Sequence, residues 1–208
     1  MSRRQRSTRT LDVRPTYSRI LEHAVRVLEE DGFDRFNVQR VLVEADVSRA
    51  TLYRHFPDVD GLIEAALVET FRFAVDQYLK IVADLVDNAT DPGSFRDGIR
   101  TVLQNFSTLP ARIRIRRAHI IALSATRPAL AAAIAEVQEA LNEGWETTLE
   151  EAKRRGFIRD DVDTRAIGVI VQSITIGRII DDAAIDHLTD DQWAQAVFQL
   201  VDRAILTP

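Results

Sequence analysis

The chain of 208 residues contains no cysteine. Disulfides, thiolate zinc fingers, iron–sulfur clusters and thiol nucleophiles are thereby excluded together, and the absence argues for a reducing compartment. Glycine and proline are sparse, at 8 and 6 residues, which leaves no room for collagen-like repeats or Pro/Gly-rich low-complexity segments. Long apolar runs are missing as well. The longest stretch without a charge is Ala166 to Gly177, between Arg165 and Arg178, well short of the roughly 20 residues a membrane span needs. The Ser-Arg-Arg start is followed by no apolar segment between Ser7 and Tyr17, so it does not read as a twin-arginine export signal. A cytoplasmic protein with no membrane partner is the expectation. There is also no G-x-S-x-G elbow, no phosphate-binding glycine loop and no His pair at i, i+4. Nothing therefore asks for an enzyme, a cofactor or a metal site.

What is present is an ordinary globular composition, 46% hydrophobic and 28% charged, enough to bury a core in one large domain or in a small and a medium one. The net charge of −5 hides an asymmetry. Residues 1–56 hold 11 Arg against 8 acidic residues, while 57–208 hold 16 basic against 24 acidic. A basic end on an acidic remainder fits nucleic-acid contact confined to that end.

Along the chain, residues 1–14 carry Arg3, Arg4, Arg6, Arg9 and Arg14 with little to bury, and read as a disordered basic tail. From Pro15 the apolar residues Ile20, Leu21, Ala24, Val27 and Leu28 follow helical spacing, with Gly32 as the stop, which predicts a helix over about 16–30. Asn37 can cap a second helix with Val38, Val41, Leu42 and Ala45 inward; Ser48 can cap a third that runs to Phe56 before Pro57. Only Asp46 and Val47 lie between them. Two short helices across so tight a turn, closed by a preceding helix, form a helix-turn-helix. A long helix begins near Asp58. Further starts are marked by Asp91-Pro92, Pro110, Pro128, Asp163 and the capping box Thr189-x-x-Gln192. The pattern predicts an all-α chain of about nine helices, with a helix-turn-helix domain over 15–58 and a larger helical domain over 59–208. The segment Ala166 to Ile185 is apolar nearly all round and should be buried on more than one side, with Gly168 and Gly177 permitting close approach.

The stretch from Asn37 to Leu62, NVQRVLVEADVSRATLYRHFPDVDGL, resembles the DNA-binding region of the TetR family of transcriptional regulators, most closely over Val47 to Phe56. The resemblance implies a homodimer that binds a double-stranded DNA operator and answers to a small-molecule effector. Ser48 can accept from the amides that open the recognition helix, and Arg49 then stands first on the DNA side, suited to guanine. Ala50 lets the helix sit deep, and Thr51 can reach a phosphate or a thymine methyl. Leu52 and Phe56 should point inward, while Tyr53 and His55 are expected on the groove-facing side, bonding phosphates as the resemblance implies. Gln39 aligns with a family position that often touches a base. Asn37 completes the expected DNA-binding set. Three residues depart from the family pattern: Leu42 stands for a small Ala, Asp46 for a Gly and Val59 for a Lys. Asp tolerates the left-handed conformation a tight turn needs. The missing cation at Val59 would be replaced by the tail arginines Arg3, Arg4, Arg6 and Arg9.

For the effector, aromatic walls with few polar groups suggest Phe73, Gln77, Phe106, His119, Trp145, Gln172 and Thr175 as lining. For the dimer, the last two helices would meet their mates through Ile167, Ile170, Ile174, Trp193, Val197, Leu200 and Val201, as the resemblance suggests. The arginines Arg112, Arg114, Arg116 and Arg117 read as a helix bonded to neighbouring acids, and the acids from Asp181 to Asp191 with His187 as a solvated connection rather than a cation site. His23 and His119 sit beside apolar helical faces. Release of the operator by the effector would make the protein a repressor. Two alternatives stay open: a constitutive architectural DNA-binding protein without an inducer, and an α-helical interaction module that no longer binds DNA.

Overall fold

The computed structural model describes residues 13–207. The tail arginines Arg3, Arg4, Arg6 and Arg9 lie outside the described residues. Among these the chain is helical throughout: α1 (Val13–Asp31), a single 3-10 turn (Phe33–Arg35), α2 (Val38–Glu44), α3 (Arg49–His55), α4 (Val59–Asn88), α5 (Pro92–Ser107), α6 (Ala111–Ser124), α7 (Pro128–Arg154), α8 (Thr164–Asp182) and α9 (Asp190–Ala204). The expected start of the first helix is corrected: α1 begins at Val13, so Pro15 sits inside its first turn, where the missing amide costs no helical hydrogen bond. The one extended feature is an antiparallel bridge between Ile158 and Leu206.

The chain divides into two compact units between Thr70 and Phe71. The division falls inside α4 rather than at residue 58, because Leu62, Ile63 and Ala66 of α4 are buried and belong to the first unit. That unit's core is built from Ile20, Ala24 and Val27 of α1, Val41 and Leu42 of α2, and Leu52 and Phe56 at α3. Leu42, where the family has a smaller residue, is almost fully buried, so the unit has space for it. Tyr17 stacks on Phe56 with centroids 4.9 Å apart.

In the second unit, α5 packs along α9, α7 along α8, and α6 touches both α7 and α8. Three devices lock these helices. Gly168 of α8 allows an approach so close that an added Cβ would meet the Trp145 Cβ at 2.9 Å. Gly177, expected to serve likewise, faces open space. At the end of α4, the Arg155 guanidinium donates to the carbonyls of Val86 and Ala89, satisfying acceptors that a helix terminus leaves orphaned. The chain after α9 pairs with the chain after α7: the Arg159 amide donates to the Ile205 carbonyl at 2.9 Å, and the Thr207 amide to the Phe157 carbonyl at 3.2 Å. This pairing ends α9 at Ala204. α8 ends at Asp182, and the Asp181 carboxylate accepts from the Leu188 amide at 3.0 Å beyond it.

Candidate functional site

The first unit presents a capped recognition helix. Asn37 opens α2, its Oδ1 accepting from the Gln39 amide at 3.0 Å and the Arg40 amide at 3.4 Å. Ser48 opens α3, its Oγ accepting from the Thr51 amide at 3.1 Å and lying 3.0 Å from the Thr51 hydroxyl. Between them the chain makes a Schellman turn, with the Val47 amide donating to the Leu42 carbonyl at 3.1 Å and the Asp46 amide to the Val43 carbonyl at 3.2 Å. Asp46 takes φ 49 there. That is the left-handed conformation the turn requires, and a short polar side chain tolerates it.

On α3, Leu52 is buried while Arg49, Ala50, Tyr53 and Arg54 face solvent. The Arg49 guanidinium donates to Gln39 Oε1 at 3.1 Å, so the two expected base-reading side chains are held together across the helix-turn-helix. Arg54 is a cation on this face that motif reading passed over; its i, i+4 spacing from Ala50 was the available signal. His55 is corrected. At ~100° per residue it lies far around the helix from Tyr53. Its Nε2 is buried without a hydrogen-bond partner, and its ring meets Tyr17 edge-on at 6.3 Å. Asp58 caps α4, its Oδ1 accepting from the Gly61 amide at 2.7 Å. Arg40 is turned away from this surface into an acidic cluster. It donates to Glu30, to both oxygens of Asp31 at 3.1 Å and to Glu44 at 2.7 Å, and its pKa is raised by these contacts, Glu30 foremost. The same hydrogen bond holds the Glu44 carboxyl below the usual range. His23 and Arg26 reach Glu44 from α1, at 3.5 Å and 2.9 Å.

The second unit holds a cavity of about 110 Å³ whose wall is overwhelmingly apolar. Aromatic rings from four helices line it: Tyr78, Phe95, Phe106, Trp145 and Trp193. Tyr78 meets Phe106 edge-on at 4.4 Å, and burial pushes its phenol pKa up. Of the residues expected to line an effector site, Phe106, Trp145, Gln172 and Thr175 border the cavity. The other three are corrected: Phe73 is 67% exposed, and Gln77 and His119 are exposed as well, because they fall on the solvent faces of α4 and α6. The expected dimer set is redistributed too. Ile167, Ile174, Trp193, Val197 and Val201 border the cavity within one chain, because the apolar stripes of α8 and α9 face inward there. Ile170 and Leu200 are exposed, at 50% and 66%.

Three buried arginines stand in this wall, Arg114, Arg117 and Arg178, none more than 6% exposed. Arg114 forms a fork on Asp182, with three hydrogen bonds of 2.7 to 3.0 Å, and donates to the Leu109 carbonyl at 2.7 Å. Arg178 donates to the Ser107 carbonyl at 2.6 Å and to Asp190 at 2.5 Å, and lies 3.8 Å from Asp182. Arg117 differs. Its Nη2 donates to the neutral Gln172 amide oxygen at 3.1 Å rather than to a carboxylate, and its Nε, like that of Arg178, has no hydrogen-bond partner. Gln172 is in turn held by the Gln138 amide at 2.9 Å and donates to Asn142 at 3.2 Å and the Gly168 carbonyl at 3.1 Å. Among the described residues, then, two carboxylates answer three buried cations. Asp182 and Asp190 are ion-pair partners and not a cation site; no group of three or more ligating side chains occurs among the described residues. None of the described helices is long and apolar enough to cross a membrane.

The first unit carries a capped helix-turn-helix, the arrangement of a DNA-binding regulator, and the second holds an apolar cavity. The sequence profile of the bacterial regulatory proteins, tetR family, matches residues 20–66. Over most of its length the chain is similar to the HTH-type transcriptional regulator UidR of Escherichia coli, 21% identical over 196 residues that cover 91% of this chain and 93% of UidR. A structure described as a TetR-family regulator from Mesorhizobium loti shares its fold at a TM-score of 0.70 and 17% identity, covering 94% of this chain and 99% of that one. A transcriptional regulator from Saccharomonospora viridis, in complex with choline, does so at 0.66 and 18%, covering 94% and 100%. Residues 20–66 thus carry the DNA-binding region of the tetR family, and the matches over the rest of the chain support a regulator of that family.

Proposed function

We propose that the protein is a cytoplasmic, homodimeric repressor that binds a pseudo-palindromic operator through α3 and releases it when a small molecule enters the cavity. The observation that carries the reading is the solvent face of α3, where Arg49, Ala50, Tyr53 and Arg54 stand over a buried Leu52 at the end of a capped turn. Arg49, steadied by Gln39, reads a guanine, and Tyr53, Thr51 and Arg54 fix the register on phosphates. One such helix reads only a few base pairs, so a two-fold pair is needed for specificity. The exposed apolar side chains Val169 and Ile170 on α8 and Leu200 on α9 support self-association through these helices.

The choline complex of the Saccharomonospora viridis relative supports reading the cavity as an effector chamber. An effector acts here by preferring the conformer in which the paired recognition helices mismatch their half-sites, since only differential affinity shifts such an equilibrium. Fluorescence anisotropy of the full chain, against its own upstream DNA and a scrambled duplex at several salt concentrations, tests the first half. Tight, selective, salt-steep binding is expected. Equal binding to both duplexes overturns operator recognition.

A further inference from the structure

We propose that the cavity takes a monoanionic amphiphile, a carboxylate on an apolar alkyl or aryl body, and that Arg117 receives the carboxylate. The inference rests on reading the cavity as the effector chamber and goes beyond it by naming the chemistry of the occupant.

Burying a guanidinium in apolar surroundings is unfavourable unless an anion and a full set of acceptors accompany it. Arg114 meets that condition through Asp182, and Arg178 has its anions in Asp182 and Asp190, although its Nε has no hydrogen-bond partner. Arg117 does not meet it. It borders the same cavity, its Nη2 donates to Gln172 Oε1, a neutral acceptor already shared with Gln138, and its Nε is unpartnered. Its pKa is lowered by burial, opposed by the neighbouring Tyr78, so among the described residues no carboxylate offsets its desolvation. The ring of Phe71, 5.5 Å from the guanidinium carbon, supplies only a weak cation–π contact at that distance.

The rest of the wall sets the remainder of the ligand. Leu141, Val171, Val197 and the two tryptophans are apolar and accept a hydrocarbon body, not a second charge. One unanswered cation matches one negative charge: a polyphosphate would bring anions the wall cannot neutralise, and a quaternary ammonium would meet a like charge. A neutral amphiphile would leave the buried Nε as it is. A carboxylate satisfies Nε and the charge at once, in the paired geometry guanidinium favours.

The two tryptophans of the chain, Trp145 and Trp193, both border the cavity, so intrinsic fluorescence of the full-length protein reports occupancy directly. Three probes with one tail and different heads are titrated at pH 7.5: octanoate, 1-octanol and octyltrimethylammonium. Octanoate is expected to bind at least tenfold more tightly than octanol, and the ammonium most weakly. In Arg117→Met the octanoate advantage should vanish while octanol affinity is kept or improved; Arg117→Lys should retain part of the advantage. Wild-type protein that binds octanol as tightly as octanoate overturns the anion assignment and leaves the chamber reading intact. An octanoate preference that survives in Arg117→Met also overturns it. If none of the three probes changes the tryptophan emission, both readings fail. The wild-type head-group series decides the matter without any variant, and a thermal midpoint for Arg117→Met no lower than wild type confirms that loss of selectivity is not loss of fold.

Discussion

Asp46 is the one non-glycine residue with positive φ among the described residues, and the helix-turn-helix depends on it. A side chain branched at Cβ is the worst fit to that conformation. Asp46→Val is therefore expected to destabilise the protein by about 1–2 kcal/mol, whereas Asp46→Gly should change stability by less than about 1 kcal/mol. Urea midpoints of the two variants check this. A second residue-scale expectation concerns the Arg49–Gln39 hydrogen bond. If Gln39 orders Arg49 for its base, the single changes Gln39→Leu and Arg49→Met should not add. A double-mutant cycle on operator affinity should return a coupling of about 0.5–2 kcal/mol; a coupling of zero would separate the two roles. At this scale the sequence was most readable where one residue type meets one backbone need, as with the caps Asn37 and Ser48. It was least readable for Arg117, because an arginine within an apolar helical pattern looks the same whether its partner is an aspartate, as for Arg114, or an amide oxygen.

Among the helices, starts were more legible than ends. Asn37, Ser48, Asp91, Asp163 and Thr189 each cap where expected, since the cap is a local hydrogen bond of the residue to its own helix. The ends of α8 and α9 depend on distant partners, the Leu188 amide and the chain around Ile158, which no local pattern encodes. The inward face of α8 and α9 was misassigned for a related reason: an apolar stripe tells that it is covered, not whether by the same chain or another. The seam of α1 and α2 carries an expectation of its own. Glu44 has a folded pKa below its unfolded value. Its contribution to stability is therefore present above the unfolded value of about 4.3 and lost as pH falls through the lower folded one. Acid unfolding followed by helical circular dichroism should show the loss below about pH 4, and Glu44→Gln should flatten that part of the curve. An unchanged curve in the variant would show that the cluster contributes nothing measurable.

For the whole molecule, the expectation that matters most is assembly. Ile170 and Leu200 remain exposed after the cavity has claimed the other apolar residues of α8 and α9. Placing a charge at both, Ile170→Glu with Leu200→Glu, should convert a dimer to a monomer in sedimentation and reduce operator binding at least tenfold. The circular dichroism of the monomer should be unchanged, because neither side chain is buried within one chain. A variant that stays dimeric would move the interface elsewhere.

The pairing of α5 with α9 also bears on the order of events during synthesis. The first unit is complete once Thr70 has been made, with its contacts between neighbours in the chain. The chamber has no far wall until α9, some hundred residues after α5, has emerged, and contacts of such separation form late. A nascent chain thus acquires its helix-turn-helix well before its cavity can hold anything. A small molecule met during translation finds no complete cavity, which exists only once the last helix has docked.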